Sequence, residues 1–529
     1  MKWLCIAVIV ASAGVFVSAV IATRYWPIAG DALLTHYAAF LLDHGFAPFR
    51  DIIDINTPGC LLFDWAAIHV VGSGSTAWRI VDITLIAISA FGMMAIARPY
   101  AWAGGLAGGA MLLAIHMRDG VDQAGERDLI LATFLLLACA CVFEALRRDH
   151  WIYSLGGGLA AGAGLLIKPT AAIWIVGVLL LEGYALRGKP ARMWRQVSMF
   201  VLGDLVSLTL ALLFLLRYHA VHAFIGVARG LIVYHAGVDR LSVRYLLEHP
   251  IPSAWFPVAL AWIYLAAVAR GWNQFEKGVV IFSIAFGVVS FVLQGKGFPY
   301  HRYPAEAFLA LALGIDCVLA LRANGRQRIV AAIVVVYALG VLAPESVLRA
   351  SRYDWRNQDF SHSLAAELDS LGGARLSGEV QCMDTFGGCI GTLYSMRVVQ
   401  TTGFLYDCYF FHQPQTAVTT AMRSRFLSEM ETTPPKVIVV TSQYCFTDPG
   451  GYSKLDTWPA FLSWLRKNYE LHSQMEPGRA VNWWPHPRPA IGYRIYLRRA
   501  AYPWSETEPT ASPASTRIEK GQDRLPPLR

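Results

Sequence analysis

Residues 30–59 read GDALLTHYAAFLLDHGFAPFRDIIDINTPG and lie between the first and second apolar runs of the chain. The stretch is too polar to cross a bilayer and too regular to be a passive connector. It carries four Asp (Asp31, Asp43, Asp51, Asp54), two His (His36, His44) and Arg50, and it ends in Thr57-Pro58-Gly59. From Ala32 to Leu42 the apolar residues recur at helical spacing, at Leu33, Leu34, Tyr37, Ala38, Leu41 and Leu42. That spacing predicts a short amphipathic helix lying along a membrane surface, N-capped by Asp31. The rest of the chain then reads as a scaffold holding this loop at the membrane face.

Composition supports the scaffold. Of 529 residues, 55% are hydrophobic and 16% charged, where a soluble domain carries about 25% charged. Apolar runs of roughly 20 residues recur, the length a bilayer-spanning helix needs. Irregular backbone cannot face lipid, so these runs are expected to be helices. The net charge of +8 is modest, with basic residues gathered at helix ends. That suits membrane orientation and anionic lipid. No basic stripe interleaved with aromatics marks a nucleic-acid surface.

The predicted architecture is an all-α polytopic bundle of about eleven spans with a small α/β extracytoplasmic domain. The spans fall near 3–22, 76–97, 101–116, 128–146, 152–167, 169–186, 197–217, 255–270, 278–293, 303–321 and 329–348. The first is read as an uncleaved span, although Val17-Ser18-Ala19 resembles a weak signal cleavage site. Residues 59–72 read as a half-helix returning from the first loop. The short links Arg98–Tyr100, Arg147–Trp151, Arg187–Gln196, Arg270–Lys277 and Arg322–Arg328 are basic, which puts them on the cytoplasmic side. The longer polar loops then lie on the opposite, outer side. Residues 1–349 form the membrane module, with its first outer loop at 23–58. Residues 350–502 form the outer domain, with strands at Lys436–Thr441 and Tyr493–Arg498 and a helix at Trp458–Tyr469. Residues 503–529, rich in Pro, Ser, Thr and Glu, read as a disordered tail. Of nine cysteines, Cys382, Cys389, Cys408 and Cys445 fall in the outer domain, where at least one disulfide is expected.

Several residues in the outer loops can carry chemistry. A carboxylate at the membrane mouth, Asp31, can take a proton from an attacking hydroxyl, although N-capping alone would also account for it. Asp51 and Asp54, three apart, could share a helix face and are candidates for a divalent cation. A solvated turn paired with Arg50 explains them equally well. Glu126 stands at a helix start, where acids are ordinary. It or Asp122 is also placed to face the cavity of Asp31. Lys168-Pro169 interrupts an apolar stretch, and an intramembrane Lys is costly unless it functions or snorkels. The run 294–304, QGKGFPYHRYP, brings together Lys296, Tyr300, His301, Arg302 and Tyr303. Arg and Lys there suit phosphate oxygens. No Gly-rich phosphate loop, Ser-His-Asp order or zinc motif is present.

At these residues the chain resembles the GT-C superfamily of polytopic glycosyltransferases, in the bacterial branch of protein O-mannosyltransferases and lipid A aminoarabinose transferases. The matching residues are Asp31, then Pro48, Phe49, Arg50, Asp51, Asp54, Pro58 and Gly59. Arg79, the Leu-Ile-Lys-Pro run at 166–169 and the Tyr-His-x-Tyr-Pro run at 300–304 also fit. Two departures stand out. Ala32 replaces a common Glu, and Asn56-Thr57 replace a common Lys-Pro. The resemblance implies a sugar donor on a polyprenyl phosphate and an acceptor hydroxyl on a lipid, a glycan or a protein. Asp31 would be the general base of an inverting transfer, with Lys296, His301 and Arg302, joined by Lys168, on the lipid phosphate. The residues name no cofactor and leave a divalent cation as a candidate. Two other classes compete: a transporter or flippase of lipid-linked glycans, and a ligase or polymerase using a diphosphate-linked donor. The first calls for paired acids inside spans, and of these only Asp82, Asp204 and Asp316 stand out, without an evident role.

Overall fold

The computed structural model describes residues 2–351, 357–443, 451–476 and 491–499. These divide into two compact units that cut across chain order. The first holds residues 1–32, 56–214 and 236–353, and the second holds 33–55, 215–235 and 354–529.

The first unit is a helical bundle. Seven helices in the described chain are long and apolar enough to cross a membrane, among them Arg127–Arg148, Gln274–Gln294 and Pro299–Arg322. Four shorter apolar helices are Pro58–Val71, Trp151–Ile167, Ala171–Ala185 and Ser253–Val268. The 45-residue segment Ser75–Asp119 carries non-helical backbone at Ala101. A Cβ on Gly109 would press on Ala90, and one on Gly105 would press on Met93. Those contacts require the chain to fold back at Ala101, so the segment is two spans joined by a tight bend beside Pro99. Small residues let the two backbones approach this closely.

The second unit contains a four-stranded sheet of β1 (Val380–Met383), β2 (Val437–Thr441), β3 (Tyr469–Met475) and β4 (Tyr493–Arg498), in the order β1-β2-β4-β3. β1 and β2 are parallel, and the other pairs are antiparallel. Every residue of β2 is buried, which explains its unbroken VIVVT run where a half-exposed strand would alternate. A disulfide joins Cys382 and Cys389, and Cys408 is disulfide-bonded too. Among the described residues the five free cysteines all lie in the first unit. Residues 503–529 and Cys445 lie outside the described residues.

The amphipathic helix predicted in the first loop is present as Gly30–Asp43, but it does not lie on a surface. Leu34, Tyr37, Ala38, Ala39, Phe40, Leu41 and Leu42 are all buried. Within the second unit, the Tyr37 hydroxyl donates to the Val398 carbonyl and accepts from the Gln400 N–H. The helix is therefore a core element, with protein against both its apolar stripe and its flanks.

Candidate active site

Four helix starts of the first unit converge. Asp31 sits in the first turn of Gly30–Asp43, and Asn56 precedes the N-cap of Pro58–Val71. Glu126 is the N-cap of Arg127–Arg148, and Tyr300 lies in the short turn Pro299–Arg302 that leads into Tyr303–Arg322. Helix starts carry partial positive charge and orphan N–H groups, so their convergence favours anions.

The centre is Asp31. The Arg127 guanidinium donates to its Oδ2 at 2.9 Å, and the Tyr300 hydroxyl donates to the same oxygen at 2.8 Å. Arg127 also donates to Asn56 Oδ1. The Asp31 side chain keeps 18% of its surface exposed, enough for a substrate to reach it.

Glu126 lies against the same turn. Its Oε1 accepts the Ala32 N–H at 3.3 Å. Its Oε2 is buried with no hydrogen-bond partner among the described residues. Burial, then the neighbouring Asp31 carboxylate, holds the Glu126 carboxyl well above the usual range. The approach depends on Gly30, whose φ is +64° and whose Cβ, if present, would stand 2.8 Å from Glu126 Oε1. A second carboxyl thus reaches the position beside Asp31 from another loop, although Ala32 itself carries none.

The remaining candidates sit elsewhere. Lys168 donates to Asp128 Oδ2 and Gln294 Oε1, both at 2.5 Å. Burial pushes its ammonium down and Asp128 pulls it back up. Lys296 donates to the Val238 carbonyl, and burial lowers its pKa to about 8. His301 is buried with its ring against Phe298 and Tyr300. Arg302 pairs with Asp119 at 2.8 Å and Glu306 at 3.4 Å. The Tyr303 hydroxyl bonds His116 Nδ1 at 2.6 Å. The expected cationic set of Lys296, His301 and Arg302 is thus engaged in protein contacts; adjacency in sequence does not make it one open anion cradle.

Arg50, Asp51 and Asp54 belong to the second unit. Asp51 accepts the Ala47 N–H at 2.8 Å and pairs with Arg50 at 3.0 Å. Asp54 is 1% exposed and accepts from the Tyr406 hydroxyl at 3.0 Å. The pair lies on irregular backbone, so the shared helix face expected for it does not form. Among the described residues no three His, Cys, Asp or Glu cluster as metal ligands.

Sequence reading passed over Arg127 and Asn56. A basic residue in a helix's first turn opposes the dipole and calls for an acidic partner, which was the available signal.

Residues 56–216 match the family of dolichyl-phosphate-mannose-protein mannosyltransferases. The fold resembles ArnT from Cupriavidus metallidurans, solved bound to undecaprenyl phosphate. The TM-score is 0.59 at 12% identity, covering 92% of this chain and 97% of that one. It also resembles the oligosaccharyltransferase of Archaeoglobus fulgidus in its apo form. There the TM-score is 0.55 at 10% identity, covering 94% of this chain and 89% of that one. The same archaeal enzyme, AglB, with an inhibitory peptide and a dolichol-phosphate, gives 0.53 at 11% identity over 92% and 76%. No curated protein matches in sequence. Fold and family match together define a polytopic membrane glycosyltransferase. The bundle has the GT-C fold of those solved enzymes.

Proposed function

We propose that this protein transfers a sugar from a polyprenyl-phosphate donor to an acceptor hydroxyl at the outer face of the bacterial inner membrane. The observation that carries the reading is the partly exposed Asp31, oriented by Arg127 and Tyr300 where four helix starts meet. The acceptor oxygen attacks the anomeric carbon while the bond from that carbon to the phosphate oxygen breaks. The hydroxyl proton passes to Asp31, and polyprenyl phosphate leaves with inverted configuration at the sugar. The convergent helix starts, with Arg127 beside them, stabilise the charge growing on the departing phosphate. Glu126, protonated, faces the reacting centre without adding a second negative charge.

The undecaprenyl phosphate and dolichol-phosphate bound in the similar structures support a lipid-linked donor. The disulfide in the second unit and the free thiols in the first support an outer location for the C-terminal part.

The test uses purified protein in nanodiscs, radiolabelled polyprenyl-phosphate sugars and a membrane extract rich in acceptors. Wild type is expected to turn over one donor. Asp31→Asn is expected to lose transfer while keeping its elution profile. Wild-type turnover by that variant would overturn the assignment of the base.

A further inference from the structure

Asp82 is a buried carboxylate in the bundle, 0% exposed, and the transfer reaction as described does not use it. Its surroundings are fully specified. Oδ1 accepts the Gly125 N–H at 2.7 Å. Oδ2 accepts from the Arg79 guanidinium and from His116 Nε2, the latter at 3.2 Å. His116 Nδ1 meets the Tyr303 hydroxyl at 2.6 Å. A neutral imidazole that donates from Nε2 and accepts at Nδ1 satisfies both contacts. Arg79 further donates to Thr23 Oγ1, and its guanidinium lies 4.8 Å from the centre of the Trp26 ring. Arg79 and Asp82 cancel in charge, which lets the network sit inside the bundle.

One peptide group is the focus of this network. The indole N–H of Trp78 donates to the Ala124 carbonyl at 3.1 Å, while Asp82 takes the N–H of the same Ala124–Gly125 peptide. Trp78 and Asp82 are four residues apart on one helix, so they stand on one face a turn apart. Gly125 has φ +67°, and a Cβ there would overlap the Trp78 indole. The clamped peptide is followed at once by Glu126 and Arg127, both of which meet the Asp31 turn. Tyr300 and Tyr303, three apart on the next segment, complete the arrangement. Tyr300 holds Asp31 and Tyr303 holds His116.

We propose that Asp82 is a positioning residue of the site, which clamps the Ala124–Gly125 peptide and so presents Glu126 and Arg127 to Asp31. It is not a transport acid, and it touches neither donor nor acceptor. The proposal rests on the transferase reading only for its kinetic arm.

Two readouts separate the proposal from that reading. The first needs no turnover. A Glu126→Cys variant is challenged with a water-soluble maleimide, with Asp82 intact and as Asp82→Ala. With Asp82 intact the thiol is expected to stay protected, as its parent is 1% exposed. With Asp82→Ala it is expected to label at least tenfold faster, while the partly exposed free thiol of Cys141, about 20 Å along the same helix, keeps its rate. The second is kinetic, on Asp82→Asn and Tyr303→Phe in the otherwise native chain. Displacing a catalytic group by about 1 Å costs on the order of 10²-fold. Asp82→Asn is expected to lower kcat by about that factor and leave the donor KM within twofold, and Tyr303→Phe to do so more weakly. Should Asp82→Ala fail to fold, Tyr303→Phe carries both arms. Unchanged labelling, or kcat within twofold of wild type in both variants, overturns the proposal. Absence of turnover in wild type overturns the transferase reading, and the labelling arm still decides the role of Asp82.

Discussion

The Tyr300 hydroxyl donates a 2.8 Å hydrogen bond to Oδ2 of Asp31, linking residues 269 positions apart in the chain. Hydrogen bonds to ionised groups contribute about 1.5–3 kcal/mol. Tyr300→Phe removes the donor and keeps the ring against His301 and Phe298. The expected result is a fall in kcat of about 10-fold at constant donor KM, measured by initial rates in nanodiscs. An unchanged kcat would separate the Tyr–Asp contact from catalysis.

Arg127 holds Asp31 and Asn56 at once through two nitrogens of one planar group. A lysine has the charge but not the fork. Arg127→Lys is therefore expected to lose most of the activity that Arg127→Gln loses, on the order of 10²-fold, with similar thermal unfolding midpoints for the two variants. Near wild-type activity in the lysine variant would show that charge alone suffices.

Glu126 binds its proton more tightly in the folded chain than in the unfolded one, because burial and the Asp31 carboxylate both oppose ionisation. Between the ordinary value of 4.5 and its raised folded value, the folded state carries more bound protons. Stability from this group therefore falls as pH rises through that window. Glu126→Gln cannot ionise, so its midpoint is expected to fall less than that of wild type as pH rises from 5 to 9. Parallel curves for the two proteins would show that Glu126 titrates alike in both states.

Cys382 and Cys389 close a short loop at the end of β1, and the Asp384 carboxylate inside it accepts the N–H groups of Gly387, Gly388 and Cys389. Removing this disulfide with Cys382→Ser and Cys389→Ser is expected to cost about 2 kcal/mol. The check is the unfolding midpoint with and without reductant. Reductant should lower the wild-type midpoint by more than that of the double variant, which keeps the Cys408 disulfide.

Much of the bundle was legible because lipid leaves the backbone few options. Spans such as 128–146 and 278–293 have helices over their whole length at Arg127–Arg148 and Gln274–Gln294. β4 appeared at Tyr493–Arg498 as expected, since YRIYLR alternates. β1 and β3 were not seen. VQCM is four residues without alternation, and YELHSQM is polar on an outer strand. Asp31, Glu126 and Tyr300 were legible as polar residues stranded between apolar runs. Their meeting was not, because no local pattern encodes a contact 269 residues away. The partners of the cations of 294–304 were hidden for the same reason. Sequence shows that Arg302 is charged, but not that Asp119 and Glu306 already neutralise it.

The early segment 33–55 has its packing partners in residues made far later, such as Tyr394, Val398 and Tyr406. At roughly 5–20 residues per second, its apolar face waits tens of seconds on the membrane before its cover has been synthesised. Any chain released before that point leaves Tyr37, Phe40 and Leu41 bare. Quality control of this protein is therefore expected to recognise the first loop of a truncated product, and a translational pause before residue 400 would prolong that vulnerability.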